Sequence, residues 1–239
     1  MIRIDNLKKC FGRLEVLKSL CLEIEGGGVY SVLGPNGSGK TTLIKSILGM
    51  VVPDSGTITF AGQPVLGQWR YRNNISYLPQ IAHFPGNLTV VELLRMIRDL
   101  RSRPDRHRDL VSLFGLEPFL NKKLGNLSGG TKQKVNLVLT FMFESDLILL
   151  DEPTAGLDPI SMIHLRELLR TEREKGRTVI VTTHIMSFAE EISDQIIFVL
   201  DGQIHFKGSV SQIRDETGQP TLETAIAAIL RGQAGMALR

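Results

Sequence analysis

Gly34-Pro35-Asn36-Gly37-Ser38-Gly39-Lys40-Thr41-Thr42 is the stretch that decides the fold. It fits the phosphate-loop pattern G-x-x-x-x-G-K-[ST], with Gly34, Gly39, Lys40 and Thr41 in the fixed positions. Immediately before it, Val29-Tyr30-Ser31-Val32-Leu33 is apolar and partly β-branched, the pattern of a buried strand. After it, residues 43–48 repeat apolar side chains at helical spacing, and Gly49 supplies a stop. A loop set between a strand and a helix separates this motif from an ordinary glycine-rich turn. Glycines let the backbone curl with its N–H groups turned inward, and the helix N-terminus adds partial positive charge, so the loop is expected to hold a polyphosphate. Lys40 would reach the β- and γ-phosphates, and the Thr41 hydroxyl would ligate Mg2+.

The chain around this loop has 239 residues, enough for one domain with a subdomain; 42% are hydrophobic and 22% charged, as in a soluble globular protein. The net charge of +3 is not gathered around aromatic residues, which argues against nucleic acid as a partner. Cys10 and Cys21 form no C-x-x-C or His-paired cluster and read as free thiols in a reducing cytosol. Met1-Ile2-Arg3-Ile4-Asp5 puts an acid where the apolar core of a signal peptide would begin. No apolar run approaches the ~18 residues of a membrane span, so any membrane-crossing part is expected on another chain.

Upstream of the loop, residues 2–7 and 16–24 read as strands around a turn. Phe11, lying between them, suits either the core or a platform on which a nucleotide base stacks. Downstream, residues 57–60 and 75–78 read as short strands, the second ending at Pro79-Gln80. From about residue 81 to 140 the alternation gives way to helical patterns at 90–100, 105–114 and 131–143, a helical insertion in an α/β core. Its basic corner, residues 101–108, is a solvated face or a patch toward lipid head groups or a partner. Asn126-Leu127-Ser128-Gly129-Gly130 then opens a helix with Ser128 as N-cap, a second anion site that one phosphate loop does not need.

Residues 146–150 form a continuous apolar strand that ends in Asp151-Glu152-Pro153. Two carboxylates at the C-terminal edge of a buried strand stand where α/β sheets place their chemistry. Asp151 can hold Mg2+ through water, and Glu152 can poise an attacking water. Asp158 sits in a turn before a helix over 160–175, stopped by Gly176. A strand over 178–182 leads to Thr183-His184, where the histidine is a plain polar cap unless its neighbours recruit it. Residues 194–200 and 203–207 read as a hairpin turning at Asp201-Gly202, 209–217 and 221–231 as helices, and the last eight residues as frayed. The order argues for an α/β protein with a mainly parallel sheet and no internal repeat. The organisation read from it is a core of 1–80 and 141–218, a helical subdomain of 81–140, and a C-terminal helix and tail of 219–239.

Taken together, these residues resemble the ATP-binding subunits of ABC transporters over about residues 2–230. Gly34 to Thr42 matches the Walker A motif, Gln80 the Q-loop glutamine, and Leu127-Ser128-Gly129-Gly130 the family signature. Residues 147–151 match Walker B, with Glu152 in the place of the catalytic base; residues 155–158 resemble the D-loop, and His184 the switch histidine. Phe11 falls where the base-stacking aromatic lies. The resemblance implies a RecA-like P-loop core with an N-terminal antiparallel β part and a helical signature subdomain. It implies ATP and Mg2+ as cofactors, with Pro35, Asn36, Gly37 and Ser38 in the phosphate cradle and Thr41, Gln80 and Asp151 toward the metal. It implies a head-to-tail homodimer in the ATP-bound state, in which Ser128, Gly129 and Gly130 of one subunit cover the γ-phosphate on Lys40 of the other. It also implies an integral-membrane permease on a separate chain and a peripheral place on the cytoplasmic face of the plasma membrane. One departure is Thr131, where the signature commonly continues with Gln.

Within the family the chain resembles the ATPases of bacterial ABC-2-type exporters. Residues 128–135 and 77–85 look most like the NosF type, which serves copper-site assembly of nitrous-oxide reductase and implies a NosY-type permease and a periplasmic NosD-like protein. The alternative is another exporter, of drug, lipid or ion. The five His and two Cys form no soft-metal site. A ribosome- or DNA-acting ATPase of the family would carry two units or a long coiled-coil insertion, and neither pattern is present. No Asn-Lys-x-Asp motif marks a GTPase; residues 121–124 lack the acid.

Overall fold

Alternating burial builds the first sheet. In the computed structural model, which describes residues 1–237 and side chains as far as residue 231, Ile2–Phe11 (β1) turns Ile2, Ile4 and Leu7 inward, each at most 1% exposed. β1 pairs antiparallel with Leu14–Ile24 (β2), Ile2 opposite Ile24 and Ile4 opposite Leu22. The chain continues through Gly28–Leu33 (β3), Lys40–Ile47 (α1), Ser55–Phe60 (β4), Gln63–Pro64 (β5), Ile75–Leu78 (β6), Val90–Arg101 (α2) and His107–Leu113 (α3). It then runs through Gly129–Phe141 (α4), Leu147–Asp151 (β7), Pro159–Glu174 (α5), Thr178–Thr182 (β8), Met186–Ile192 (α6), Gln195–Leu200 (β9), Gln203–Gly208 (β10), Val210–Thr217 (α7) and Leu222–Ala237 (α8).

The chain forms two compact units, Met1–Tyr71 with the chain from Ile180 onward, and Arg72–Val179. In the first, a four-stranded antiparallel sheet has the order β2-β1-β4-β5. A second sheet sets β3 parallel to β9 and β9 antiparallel to β10. Past the end of β8, the Thr183 N–H donates to Val32 O at 3.4 Å. Leu33, Ile196, Phe198, Phe206, Ile213, Leu222 and Ile226 pack as one cluster, so α7 and α8 close one face of this sheet. In the second unit β6 runs parallel to β7, Ile75 beside Leu147 and Leu78 beside Leu150. The Thr178 N–H donates to Asp146 O at 3.0 Å, which starts β8 next to the foot of β7. β7 and β8 are buried at every position, and a strand enclosed on both faces is apolar throughout rather than alternating.

Several elements differ from the sequence expectation, and three of the differences have a clear physical content. β1 extends to Phe11 rather than stopping near residue 7, because register shifts around Asn6, whose φ is 48°, let the strand carry two phases of alternation. The helix α6 was not expected; it is seven residues long and hides behind Phe188, Ala189 and Ile192, which are its buried face. The helix expected to end at residue 231 continues to Ala237, and the rest of the tail read as frayed lies outside the described residues. Among the described residues no helix is long and apolar enough to cross a membrane.

Candidate functional site

In the first unit the phosphate loop grows out of β3. Five of its six residues are buried, and the chain leaves it at Gly34 and re-enters regular structure at α1, whose N-cap Gly39 has φ 104°. A side chain at Gly39 would be strained in that left-handed region and would stand 2.9 Å from both Val16 O and Leu17 Cδ2. The first turn of α1 carries no acid, so nothing opposes the positive end of its dipole. Lys40 is 7% exposed and turns back over the loop, its Nζ donating to Gly34 O at 2.7 Å and Pro35 O at 2.9 Å. Ser38 is 3% exposed, and its Oγ has no hydrogen-bond partner. A buried hydroxyl without a partner and an ammonium folded onto carbonyls are groups that a polyphosphate would satisfy. The loop therefore fits the nucleotide it was expected to hold. Asn36 and Gly37 face solvent, and Thr41 and Thr42 are half-buried at the start of the helix.

Phe11 closes β1 opposite Leu14 and is 51% exposed, so the core alternative for this ring is excluded. Lys9 Nζ lies 5.4 Å from its centroid. A half-exposed aromatic on a tight hairpin, with a cation near its ring, has the exposure that stacking on a base requires. His184 lies two residues past the end of β8 and is exposed, and the Ile185 N–H donates to Thr183 Oγ1 at 3.1 Å to turn the chain there.

In the second unit β7 delivers Asp151, 1% exposed, and Glu152, 6% exposed. Glu152 has φ 51°, a left-handed conformation that costs a side-chain-bearing residue free energy and that persists at sites where a side chain must be aimed. Burial, and after it the charge of Asp151, push the Tyr77 phenol up to about 12. Two side chains of α4 hold the loops on either side of these acids: Gln133 Nε2 donates to Pro153 O at 2.9 Å, and Asn136 Nδ2 donates to Pro79 O at 3.2 Å. Sequence reasoning missed both residues. Their signal was a pair of amides three apart on a helix face whose neighbours Val135, Leu137 and Val138 are fully buried.

Ser128 caps α4 as expected, its Oγ accepting from the Thr131 N–H at 3.3 Å. The Thr131 and Ser128 hydroxyls lie 2.8 Å apart, so the unusual threonine joins the cap. Gly129 and Gly130 do different work. A Cβ on Gly129 would meet nothing within 4 Å, whereas one on Gly130 would lie 2.5 Å from Gly156 O. A cleft of about 270 Å³ brings Gln80, Gly129, Gly130 and Lys132 together with Ala155 and Gly156, so three separate sequence motifs converge within this unit. Asp158 caps α5: its Oδ1 accepts from the Ser161 N–H at 2.9 Å, and Lys134 Nζ stands 2.7 Å from its Oδ2. The Lys134 ammonium first, then the Ser161 N–H, hold this carboxyl well below the usual carboxylate range.

Comparison with known proteins agrees with this geometry. A sequence profile of the family described as ABC transporter matches residues 17–155. The chain is 34% identical over 229 residues to the Nod factor export ATP-binding protein I of Burkholderia lata, covering 93% of this chain and 75% of that one. It is 33% identical over 216 residues to the lantibiotic transport ATP-binding protein SrtF of Streptococcus pyogenes, covering 85% and 89%. Among solved structures, an ATP-binding subunit of an ABC transporter superposes with a TM-score of 0.89 at 28% identity, covering 96% of this chain and 99% of that one. A dimeric ATP-binding cassette in a post-hydrolysis state, bound to ADP and Pi, gives 0.80 at 26% identity, covering 87% and 98%.

Proposed function

The chain belongs to the ABC transporter family as an ATP-binding, ATP-hydrolysing subunit, and from that premise we propose that it drives an export system through ATP-dependent closure of a homodimer. The observation that carries the reading is the phosphate loop with its unpartnered Ser38 hydroxyl and inward-folded Lys40. Lys40 and the loop N–H groups bind the triphosphate. Thr41, Asp151 and Gln80 carry the oxygen donors that would suit Mg2+, a hard cation that when bound would supply charge neutralisation for phosphoryl transfer. Glu152 takes the proton from the attacking water, and His184 orients that water against the γ-phosphate. Phe11 stacks on the base. Ser128, Gly129 and Gly130 of one subunit close over the nucleotide held by the other, and hydrolysis removes the phosphate that joins them.

Export as the direction follows from the relatives named for Nod factor export and lantibiotic transport. The membrane-crossing part would be a permease on another chain, contacted through the helices of residues 81–140 at the cytoplasmic face of the plasma membrane. Within this reading, the resemblance of residues 77–85 and 128–135 to the NosF type favours a NosY-type permease and a periplasmic NosD-like protein, with copper handled by those partners. Affinity capture from mild-detergent membranes tests that finer step: a periplasmic NosD-like protein recovered with the permease supports it, and an exporter permease alone removes it. The test of the ATPase reading is Glu152→Gln. It is expected to keep ATP binding, stop turnover and accumulate an ATP-bound dimer in sedimentation; hydrolysis near the wild-type rate would sink the assignment.

A further inference from the structure

We infer that the Asp201-Gly202 turn between β9 and β10 is a positioning element for the nucleotide, fixing the spacing between the Phe11 platform and the phosphate loop. The inference rests on the reading of residues 34–42 as an ATP site. Gly202 uses both of its backbone groups on other elements. Its carbonyl accepts from the Lys18 N–H at 2.9 Å, and its N–H donates to Ser38 O at 3.2 Å. Lys18 lies inside β2, the strand whose first residue, Leu14, faces Phe11 across the hairpin. Ser38 lies in the phosphate loop beside Gly39. One residue thus ties the hairpin that presents the aromatic to the loop that holds the phosphates.

The contact has no slack. Gly202 has φ 77°, and a Cβ there would lie 2.4 Å from Val16 O and 3.0 Å from Val16 C. Both are backbone atoms, so no rotamer change relieves the clash. The same pattern recurs twice on the loop itself: a Cβ on Gly39 would lie 2.9 Å from Val16 O, and one on Gly34 would lie 2.0 Å from Val199 O, on β9. Backbone meets backbone at three points, with β2 on one side of the loop and the β9–β10 hairpin on the other. Side chains can repack, but backbone-to-backbone spacing is set by covalent geometry, and binding that depends on two separated contacts needs such spacing. Gly202 is therefore a positioning residue that acts through Ser38 and Lys18.

A matched control exists in the same unit. Gly62, in the turn between β4 and β5, also has φ 77°, but a Cβ there would meet nothing within 4 Å. Gly62→Ala thus carries the strain of the left-handed backbone without the clash. The experiment measures binding of ATP and of inorganic triphosphate by titration calorimetry for the full-length wild type, Gly202→Ala and Gly62→Ala. Wild type and Gly62→Ala are expected to prefer ATP over triphosphate to the same degree. In Gly202→Ala, ATP binding weakens by roughly tenfold, the scale of one displaced backbone hydrogen bond, while triphosphate binding changes less, so the preference collapses. An unchanged preference, or equal loss of both ligands, overturns the inference. Failure of the wild type to bind ATP would instead remove the ATP-site reading beneath it. Should Gly202→Ala not fold, amide hydrogen exchange on the wild type decides: exchange at Gly202 and Lys18 is expected to slow with ATP more than at Gly62, and equal slowing at all three overturns it.

Discussion

Replacing Glu152 by glycine is expected to leave the protein more stable than replacing it by alanine, the reverse of the usual order. Glu152 follows β7 with φ 51°. Glycine occupies that conformation without steric cost, whereas a residue with a Cβ loses about 1–2 kcal/mol there. Against this, glycine gives up more chain entropy on folding, about 0.5–1 kcal/mol. Both variants remove the same carboxylate, so its lost contacts cancel in the comparison, and the difference isolates the backbone. The net is about 1 kcal/mol in favour of glycine. For a chain of this size that is about 3 °C in melting temperature.

The assay is thermal unfolding of Glu152→Gly and Glu152→Ala without nucleotide, beside the same pair at Glu167, an exposed position inside α5. At Glu167 helical geometry makes alanine the more stable by about 1 kcal/mol. A reversal of sign between the two positions is the expected result. The same sign at both would refute the reasoning, because it would mean that the left-handed backbone at 152 is not held in solution. The reversal would also say why strain is kept there: a glycine would relieve it, but only a side chain can present the carboxylate assigned to water activation.

Three further outcomes follow from the geometry. Asp158→Ala removes the N-cap of α5 and the Lys134 pairing and should destabilise the second unit by about 1 kcal/mol at neutral pH. Because the folded carboxyl titrates below its unfolded value, that stabilisation is present above about pH 4 and is lost as pH falls toward the folded value. The melting gap between wild type and Asp158→Ala should therefore narrow with acid, and a gap that widens would contradict the assignment. Arg106→Ala leaves Glu172, whose side chain is 3% exposed, with Lys175 at 3.3 Å but without the Arg106 contact at 2.5 Å. A loss of about 2 kcal/mol is expected in urea unfolding, and no loss would show that Lys175 suffices. Ser128→Arg in the Glu152→Gln background should bind ATP yet sediment as a monomer, and an ATP-induced dimer would count against head-to-tail closure.

The phosphate loop, the acid pair and the signature helix were legible in the sequence because each is local: a strand, a turn and a helix start written in consecutive residues. Most strand and helix positions followed from periodicity for the same reason. What escaped depends on contacts between distant residues. Phe11 could not be assigned to core or surface from its neighbours, since bulges near Asn6 change which side chains of β1 face inward. Gln133 and Asn136 look like ordinary helical amides until Pro153 O and Pro79 O are found beside them. The tie between Gly202 and Ser38 joins residues 164 positions apart, with no sequence pattern to announce it.

The paired glycines of the signature show how a motif that reads as one signal carries two separate requirements. The sequence reading gave both glycines one purpose, covering the γ-phosphate held by the other subunit. In the folded chain Gly130 is required by its own subunit, because Gly156 O leaves no room for a Cβ, and this contact brings the D-loop stretch against the start of α4. Gly129 has no such neighbour and is exposed. A helical position that tolerates a side chain in its own subunit yet holds glycine, the poorest helix former after proline, is paying for something outside that subunit. Under the proposed closure, that something is the nucleotide held by the second copy. The Thr131 departure fits the same division: its hydroxyl binds back to Ser128 within the cap, so it alters the subunit's own helix start and leaves the open side at Gly129 unchanged.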